Sequence, residues 1–252
     1  MTEMRFDGRT AIVTGAGSGI GQATVLRLVR EGATVVGCDL NADGMAATAE
    51  RLGDLAPGVR MLAGDITDQA FVDEIVAVAG PRVDLLANVA GIMDHFVPLG
   101  EIEDALWDRV VGVNLTAVMR MTRAVLPGMV DAGGGAVVTV ASKASLGAGA
   151  SGVAYTASKH GVIGLVKHVA YFYGPKGVRS NAVLPGPVET GIGASAAPTS
   201  QWAIERAGLS MATMGAMAAP DMIASAISWL GSDESLNVNG AILVSDGGWS
   251  TA

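Results

Sequence analysis

Short, continuously apolar runs punctuate this chain, and stretches with helical spacing lie between them. The runs fall at 10–14, 34–38, 59–63, 83–87, 136–141, 178–184 and 241–245. They do not alternate with polar residues, which is the pattern of parallel strands covered on both faces. Helices fit the intervals at about 19–31, 41–53, 68–79, 104–130, 154–173 and 220–231. This alternation predicts an α/β fold, a doubly wound sheet of seven parallel strands with helices on both faces and right-handed crossovers. No linker, repeat or low-complexity tract interrupts it, so residues 1–252 read as one domain. Two stretches break the rhythm: a small-residue loop at 143–153 and a long insertion at 186–218. Both follow carboxyl ends of strands, where open α/β sheets bind ligands.

Composition narrows the picture. Half of the residues are hydrophobic and 16% are charged. No apolar run reaches the roughly 18–20 residues that span a bilayer, and the first residues lack the apolar segment of a signal peptide. A single cysteine, Cys38, excludes an internal disulfide and a cysteine-based zinc cluster. Three histidines leave little for a metal site, so none is expected. A net charge of -8 argues against nucleic acid as a partner. The expectation is a cytoplasmic protein that neither binds nucleic acid nor enters a membrane. The helices at 104–130 and 154–173 are apolar nearly all round. One face of each must cover the sheet, and the other needs a second partner, which points to subunit contacts.

The chemistry begins where the first run ends. Thr14-Gly15-Ala16-Gly17-Ser18-Gly19-Ile20-Gly21 leads from a strand into a helix. Glycines let a backbone turn tightly and approach a pyrophosphate, whose charge a helix N-terminus stabilises. Gly15, Gly19 and Gly21 give Gly-x3-Gly-x-Gly rather than the common Gly-x-Gly-x2-Gly. Alone, the string also fits a plain turn. Asp39, ending the second strand, adds a carboxylate that can accept hydrogen bonds from ribose hydroxyls and would repel a 2′-phosphate. Ser18 and Leu40 carry no charge to offset that repulsion. The expected cofactor is NAD.

Tyr155-Thr156-Ala157-Ser158-Lys159 opens a helix, with Tyr155 and Lys159 on one face. The ammonium is expected to lower the phenol pKa from about 10 toward working pH, which makes Tyr155 a candidate general acid/base. A solvated helix pair is the plain alternative. Ser142 lies at a strand end, within reach of a substrate oxygen. Asn114 sits inside a long apolar helix, where a lone asparagine usually bonds a backbone carbonyl.

With these motifs the chain resembles a classical short-chain dehydrogenase/reductase over nearly all of its length. The motifs stand here as the glycine string at 14–21, Asp65-Ile66, Asn88-Val89-Ala90-Gly91, Asn114, Ser142, Tyr155-x3-Lys159, Pro185-Gly186-Pro187-Val188-Glu189-Thr190 and Asp246-Gly247-Gly248. The resemblance implies a Rossmann fold. It also implies a cleft in which Gly15, Ser18, Gly19, Ile20, Gly21, Asp39 and Leu40 hold the adenosine and pyrophosphate. Asp65 and Ile66 would flank the adenine, and Asn88, Ala90 and Gly91 would line the cleft. Pro185, Gly186, Val188 and Thr190 would meet the nicotinamide end, with Lys159 on its ribose. The implied catalytic set is Asn114, Ser142, Tyr155 and Lys159. Ser142 positions the carbonyl oxygen and Tyr155 exchanges the proton. Lys159 supports the phenolate, and Asn114 holds a water that links Lys159 to solvent. The implied assembly is a homotetramer, with 186–218 as a lid over the substrate.

The substrate is not written in the sequence beyond a secondary alcohol and its ketone. His95 reads either as an edge of the pocket or as a solvated loop residue. His160 and His168 read as packing or interface residues, and Trp202, Met211, Met214 and Met217 as lid packing or pocket wall. Cys38 reads as a small buried hydrophobe, and Asp84 and the acidic stretch 101–108 as solvated turns and caps. A reductase of carrier-bound 3-oxoacyl groups using NADPH is one competing reading. Asp131-Ala132-Gly133-Gly134-Gly135 offers such an acidic carrier no basic patch, and Lys176 stands alone. A non-catalytic dinucleotide-binding regulator is another, and the complete set of four catalytic candidates argues against it.

Overall fold

The computed structural model describes residues 4–193 and 200–251. Seven parallel strands form one sheet: β1 (Thr10–Thr14), β2 (Thr34–Asp39), β3 (Val59–Ala63), β4 (Leu85–Asn88), β5 (Gly135–Val140), β6 (Val178–Pro185) and β7 (Ile242–Ser245). Their spatial order is β3-β2-β1-β4-β5-β6-β7. The order reverses between β1 and β4, so a crevice opens at the carboxyl ends of those two strands.

Eight α-helices cover the sheet among the described residues: α1 (Gly19–Arg30), α2 (Ala42–Leu52), α3 (Gln69–Ala79), α4 (Asp104–Val111), α5 (Ala117–Asp131), α6 (Val153–Tyr173), α7 (Gln201–Met211) and α8 (Pro220–Gly231). The pleat sends successive side chains of each strand to opposite faces. Ala11 and Val13 of β1 join Val25 and Leu28 of α1 and Ile223 and Ile227 of α8 in one core. Ile12, between them, joins Ile75 of α3 and Met121 and Val125 of α5 in the other. The middle of β1 is apolar on both faces because both faces are covered.

Three expectations need correction. The helix expected at 104–130 is α4 and α5 joined by one π turn, Gly112–Thr116. A π turn carries an extra residue and redirects the side chains around it, here Asn114. The insertion at 186–218 contains α7, with residues 194–199 outside the described residues. The sequence of α7 hides a helix because only Ala203 is buried, so no apolar stripe marks it. Asp84, expected to be solvated, has a side chain only 9% exposed. Its carboxylate accepts from the Thr10 amide at 2.9 Å and from Arg82 at 2.8 Å, which fixes the entry to β4.

Candidate functional site

The β1–α1 turn is shaped by contacts that tolerate no side chain. A Cβ on Gly21 would lie 1.9 Å from the Gly15 carbonyl oxygen. A Cβ on Gly15, which adopts φ 74°, would lie 3.0 Å from the Ala90 backbone. The turn delivers the chain into α1, whose N-cap Ser18 makes no side-chain capping bond. The first amides of α1 therefore have no side-chain acceptor, and they point with the positive end of the helix dipole into the crevice. The Thr14 hydroxyl accepts from the Val89 and Ala90 amides at 3.0 and 3.1 Å, locking the ends of β1 and β4 together.

Asp39 stands at the end of β2. Its carboxylate accepts from the Gly17 amide at 2.9 Å and the Asn41 amide at 2.8 Å. Each oxygen keeps a further lone pair for a ligand hydroxyl. Leu40 beside it is 72% exposed and brings no cation. Asp65 braces its own loop by accepting from the Thr67 amide and hydroxyl, both at 2.8 Å.

One cleft of about 740 Å³ runs from Asp39 to Tyr155. Gly15, Ser18, Ile20, Asp39, Leu40, Asp65, Ile66, Ala90, Gly91, Ser142, Tyr155, Lys159, Pro185, Gly186, Val188 and Thr190 line it. Gly19, Gly21, Asn88 and Asn114 do not. Gly21 acts by closing the turn, and a Cβ on Gly19 would lie 2.8 Å from the Thr190 methyl. Asn88, expected in the cleft, turns its amide into the core instead, toward the Thr122 and Thr139 hydroxyls at 3.3 and 3.5 Å. The strand pleat points that side chain away from the crevice.

At the far end, β5 and α6 bring Ser142, Tyr155 and Lys159 together. Tyr155 and Lys159 are buried, 8% and 3% exposed. The Ser142 side chain stands near the Tyr155 hydroxyl and favours its anion. The Lys159 ammonium donates to the Val140 carbonyl at 2.9 Å and lies 5.5 Å from the centre of the Tyr155 ring. Burial lowers the Lys159 pKa to about 8. Burial also pushes the Tyr155 phenol up to about 12, Ser142 opposes this, and the Asp94 charge adds to it. The lowered phenol pKa expected from the Tyr–Lys spacing is therefore not what the protein's own groups produce. Desolvation of the anion is the largest cause of that rise.

Asn114 is fully buried. It clasps Ile92, accepting from its amide and donating to its carbonyl, both at 2.9 Å. A Cβ on Gly91 would sit 3.3 Å from the Asn114 carbonyl oxygen and 3.5 Å from the Lys159 ammonium. The missing side chain thus leaves these two polar groups facing one small space.

Beyond Tyr155, a second cavity of about 550 Å³ lies between α7 and the segment leading into α6. Phe96, Pro98, Gly149, Thr156, Trp202 and Leu209 contribute its walls. Trp202 ties α7 down by donating to Glu101 at 2.6 Å, so the acidic stretch is an anchor as well as a cap. Lys143 donates to Ser210 at 3.3 Å and lies 4.5 Å from the centre of the Trp249 ring. His160 bonds the Thr156 carbonyl on an exposed helix face, and His168 stacks on Phe172. Cys38 is buried, which raises its thiol to about 12. Among the described residues no cluster of metal-ligating side chains occurs.

The residues present fit a nicotinamide dinucleotide. The cleft has the volume of a small-molecule site. Ligand-ready backbone amides and a carboxylate stand at one end, and a phenol and an ammonium at the other. The Thr190 hydroxyl is buried with no hydrogen-bond partner, as a donor or acceptor awaiting a ligand group would be.

A doubly wound sheet with such a cleft at its switch point defines a dinucleotide-dependent oxidoreductase. Residues 9–201 match the short chain dehydrogenase family, and the chain belongs to that family. It is 37% identical over 259 residues to 3beta-hydroxysteroid dehydrogenase 2 of Eggerthella lenta, covering 99% of each chain. Carveol dehydrogenase of Mycobacterium avium, solved with NAD, is 28% identical with a TM-score of 0.88, covering 98% of this chain and 99% of that one. A Beutenbergia cavernae chain solved with bound NADP is 35% identical with a TM-score of 0.86, covering all of both chains.

Sequence reasoning passed over two features of the site. One is α7. The other is Asp94, a buried carboxylate in the segment after the Asn88–Gly91 motif that bonds the start of α6. The only signal for it was negative: α6 begins after Gly152, with no side-chain cap of its own.

Proposed function

We propose that this protein is an NAD-dependent dehydrogenase interconverting a secondary alcohol and its ketone, with Tyr155 as acid/base. The single observation that carries the reading is one cleft joining Asp39 to Ser142 and the buried Tyr155 and Lys159.

When bound in this cleft, the dinucleotide would supply the hydride acceptor or donor, with Asp39 at one end and Lys159 and Thr190 at the other to hold it. Ser142 and Tyr155 meet the substrate oxygen together, Ser142 fixing its position. In the oxidative direction Tyr155 takes the alcohol proton as the carbon gives up its hydride; in reduction it returns one to the carbonyl oxygen. Lys159 holds a positive charge in a dry setting, where it favours the phenolate most strongly. Asn114 keeps Ile92 and Gly91 in place, leaving room for a water between its amide and Lys159. α7 flanks the substrate side, and the second cavity beside it gives the body of the substrate room beyond the reacting carbon.

Asp39 supports NAD over NADP. Its remaining lone pairs suit ribose hydroxyls, and its charge repels a 2′-phosphate with no cation nearby to compensate. The exposed aromatic end of α6, with Tyr171 78% and Phe172 58% exposed, supports a homotetramer built through α5 and α6. A cytoplasmic location, where free NAD is plentiful, goes with this reading.

The test is a panel of secondary alcohols and ketones followed by nicotinamide absorbance with both cofactors. Turnover should appear with a kcat/KM about a hundredfold higher for NAD, the ratio expected from a difference of roughly 3 kcal/mol. Equal values, or a preference for NADP, would overturn the cofactor assignment and favour the reductive 3-oxoacyl alternative.

A further inference from the structure

The catalytic helix begins without a cap of its own. Gly152 is its N-cap residue and offers no side chain, and no residue of its first turn is acidic. Yet Tyr155 stands in that first turn, where a helix frays most easily.

Asp94 supplies what is missing. It is fully buried in the segment between β4 and α4. One oxygen accepts from the Gly152 amide and the other from the Tyr155 amide, both at 2.9 Å. The bond to Tyr155 is to the backbone of the reacting residue itself. The approach is so close that a Cβ on Gly152 would meet the Asp94 carboxylate at 2.6 Å and the Val97 amide at 2.5 Å.

The chain adopts an unfavourable backbone to bring Asp94 there. His95 and Phe96 follow it with φ 55° and 56°, the only positive-φ residues other than glycine among those described. The Val97 amide donates back to the Asp94 carbonyl at 3.1 Å, and the Val153 amide donates to the Val97 carbonyl at 3.0 Å. This is a tight mirror-image turn of the kind usually built from glycine and asparagine. Two left-handed side-chain residues in succession persist only where the surroundings over-determine them, and such strain gathers at functional sites. His95 therefore has a structural part in the turn as well as a place near the pocket.

We propose that Asp94 is a positioning residue for Tyr155: its carboxylate fixes the first turn of α6 from outside the helix and holds a negative charge at the backbone amide of the reacting residue. The proposal rests on Tyr155 being the acid/base.

Positioning and charge are separable effects. Positioning sets how often the phenol stands at the substrate oxygen, so its loss lowers kcat. Charge sets the pH at which the phenol gives up its proton, because an adjacent anion disfavours the phenolate. The charged and titratable groups on the elements around Tyr155 are Lys159 and His160 on α6, Lys143 after β5, Asp94 and His95 after β4, and Asp108 and Arg109 on α4. Among these, Asp94 is the one carboxylate bonded to the helix that carries Tyr155.

Two variants test this. Asp94→Asn keeps the shape and one acceptor oxygen but loses the charge and the second acceptor. In alcohol oxidation it should lower kcat about tenfold and move the acid limb of the kcat/KM profile down by about half a pH unit, the direction expected on removing an anion. Asp94→Glu keeps the charge with the carboxylate displaced, so it should lower kcat but leave the limb where it is. The glutamate variant also keeps the question open to experiment if the neutral one does not fold.

Thermal unfolding separates the alternatives. A lower melting temperature with kcat and the acid limb unchanged would make Asp94 a structural cap only and overturn the proposal. Tyr155→Phe, measured alongside, distinguishes the two failures. If it remains active, the acid/base reading falls and the role of Asp94 falls with it. If it is inactive while neither Asp94 variant shifts kcat or the limb, only the role of Asp94 is lost.

Discussion

The two ends of the cleft are built on opposite plans. At the Asp39 end the binding surface is mostly backbone: glycine Cα atoms, the first amides of α1, and a part-exposed carboxylate already accepting two amides. At the Tyr155 end the surface is side chain, and the decisive groups are buried. Asn114 and Asp94 are fully buried and Lys159 nearly so. The first end needs shape, because a pyrophosphate and a ribose carry their own polarity. The second end must alter the chemistry of its own groups, and burial is the means, raising Tyr155 to about 12 and lowering Lys159 to about 8.

The largest expected effect lies at the buried end. Tyr155→Phe keeps the ring and its packing but leaves no proton to transfer. Turnover should fall about a thousandfold, or ~4 kcal/mol of barrier, while dinucleotide binding followed by fluorescence stays near the parent value. Retention of more than a tenth of the activity would break the contrast between the two ends.

At the open end the expected effect is one of choice rather than rate. Asp39→Ala combined with Leu40→Arg removes the repulsion and supplies a cation. The proposed preference for NAD, about a hundredfold or roughly 3 kcal/mol, should disappear or reverse in kcat/KM. An unchanged ratio would mean that the carboxylate serves only the turn it braces.

A third test compares the energetic cost of the two ends. Lys159 has its pKa lowered by burial, so its charged form is disfavoured in the folded protein. The penalty is present in full below about pH 8 and is relieved between there and its ordinary value of 10.5. Lys159→Met should therefore abolish turnover yet raise stability at pH 7 by about 1–2 kcal/mol, after allowing for the Val140 carbonyl left unpaired. Denaturant unfolding at pH 7 and pH 10 reads this, and the gain should shrink at the higher pH. Asp39→Ala should lower stability instead, because it frees two amides.

The smallest effect is expected at the substrate side. Glu101→Gln weakens the acceptor for Trp202 and loosens α7, raising KM for the alcohol about threefold with kcat held, a change of under ~1 kcal/mol. Sedimentation of the unmodified protein tests the proposed subunit contacts through α5 and α6, and a stable monomer at micromolar concentration would overturn them.

The inner strands were legible because double burial keeps them mostly apolar, whereas the edge strands β3 and β7 are only partly buried. The glycine turn was legible because Gly15 and Gly21 stand where backbone meets backbone. Legibility failed where a local stretch answers to a distant one. Nothing in Gly-Val-Asn-Leu-Thr at 112–116 announces a π turn, since Asn114 is held by Ile92, 22 residues earlier. Asp94 was invisible for the same reason, capping a helix across 58 and 61 residues. α7 lacked a stripe because it touches the body through single anchors. Asn88 belongs to a motif at the cleft, but strand parity turns its side chain inward.

The pairing of α1 with α8 has a consequence for how the chain is made. One apolar face of α1 is covered by Ile223, Ile227 and Leu230, close to the end of the sequence. Arg5 and Arg9 likewise pair with Glu234 and Asp233, more than 220 residues away. A ribosome thus exposes the glycine turn and its helix long before their cover is synthesised. Until α8 emerges, the nascent dinucleotide half presents bare hydrocarbon to the cell. The dinucleotide half therefore completes its core only through contacts between distant parts of the chain, and such long-range contacts are slow to form.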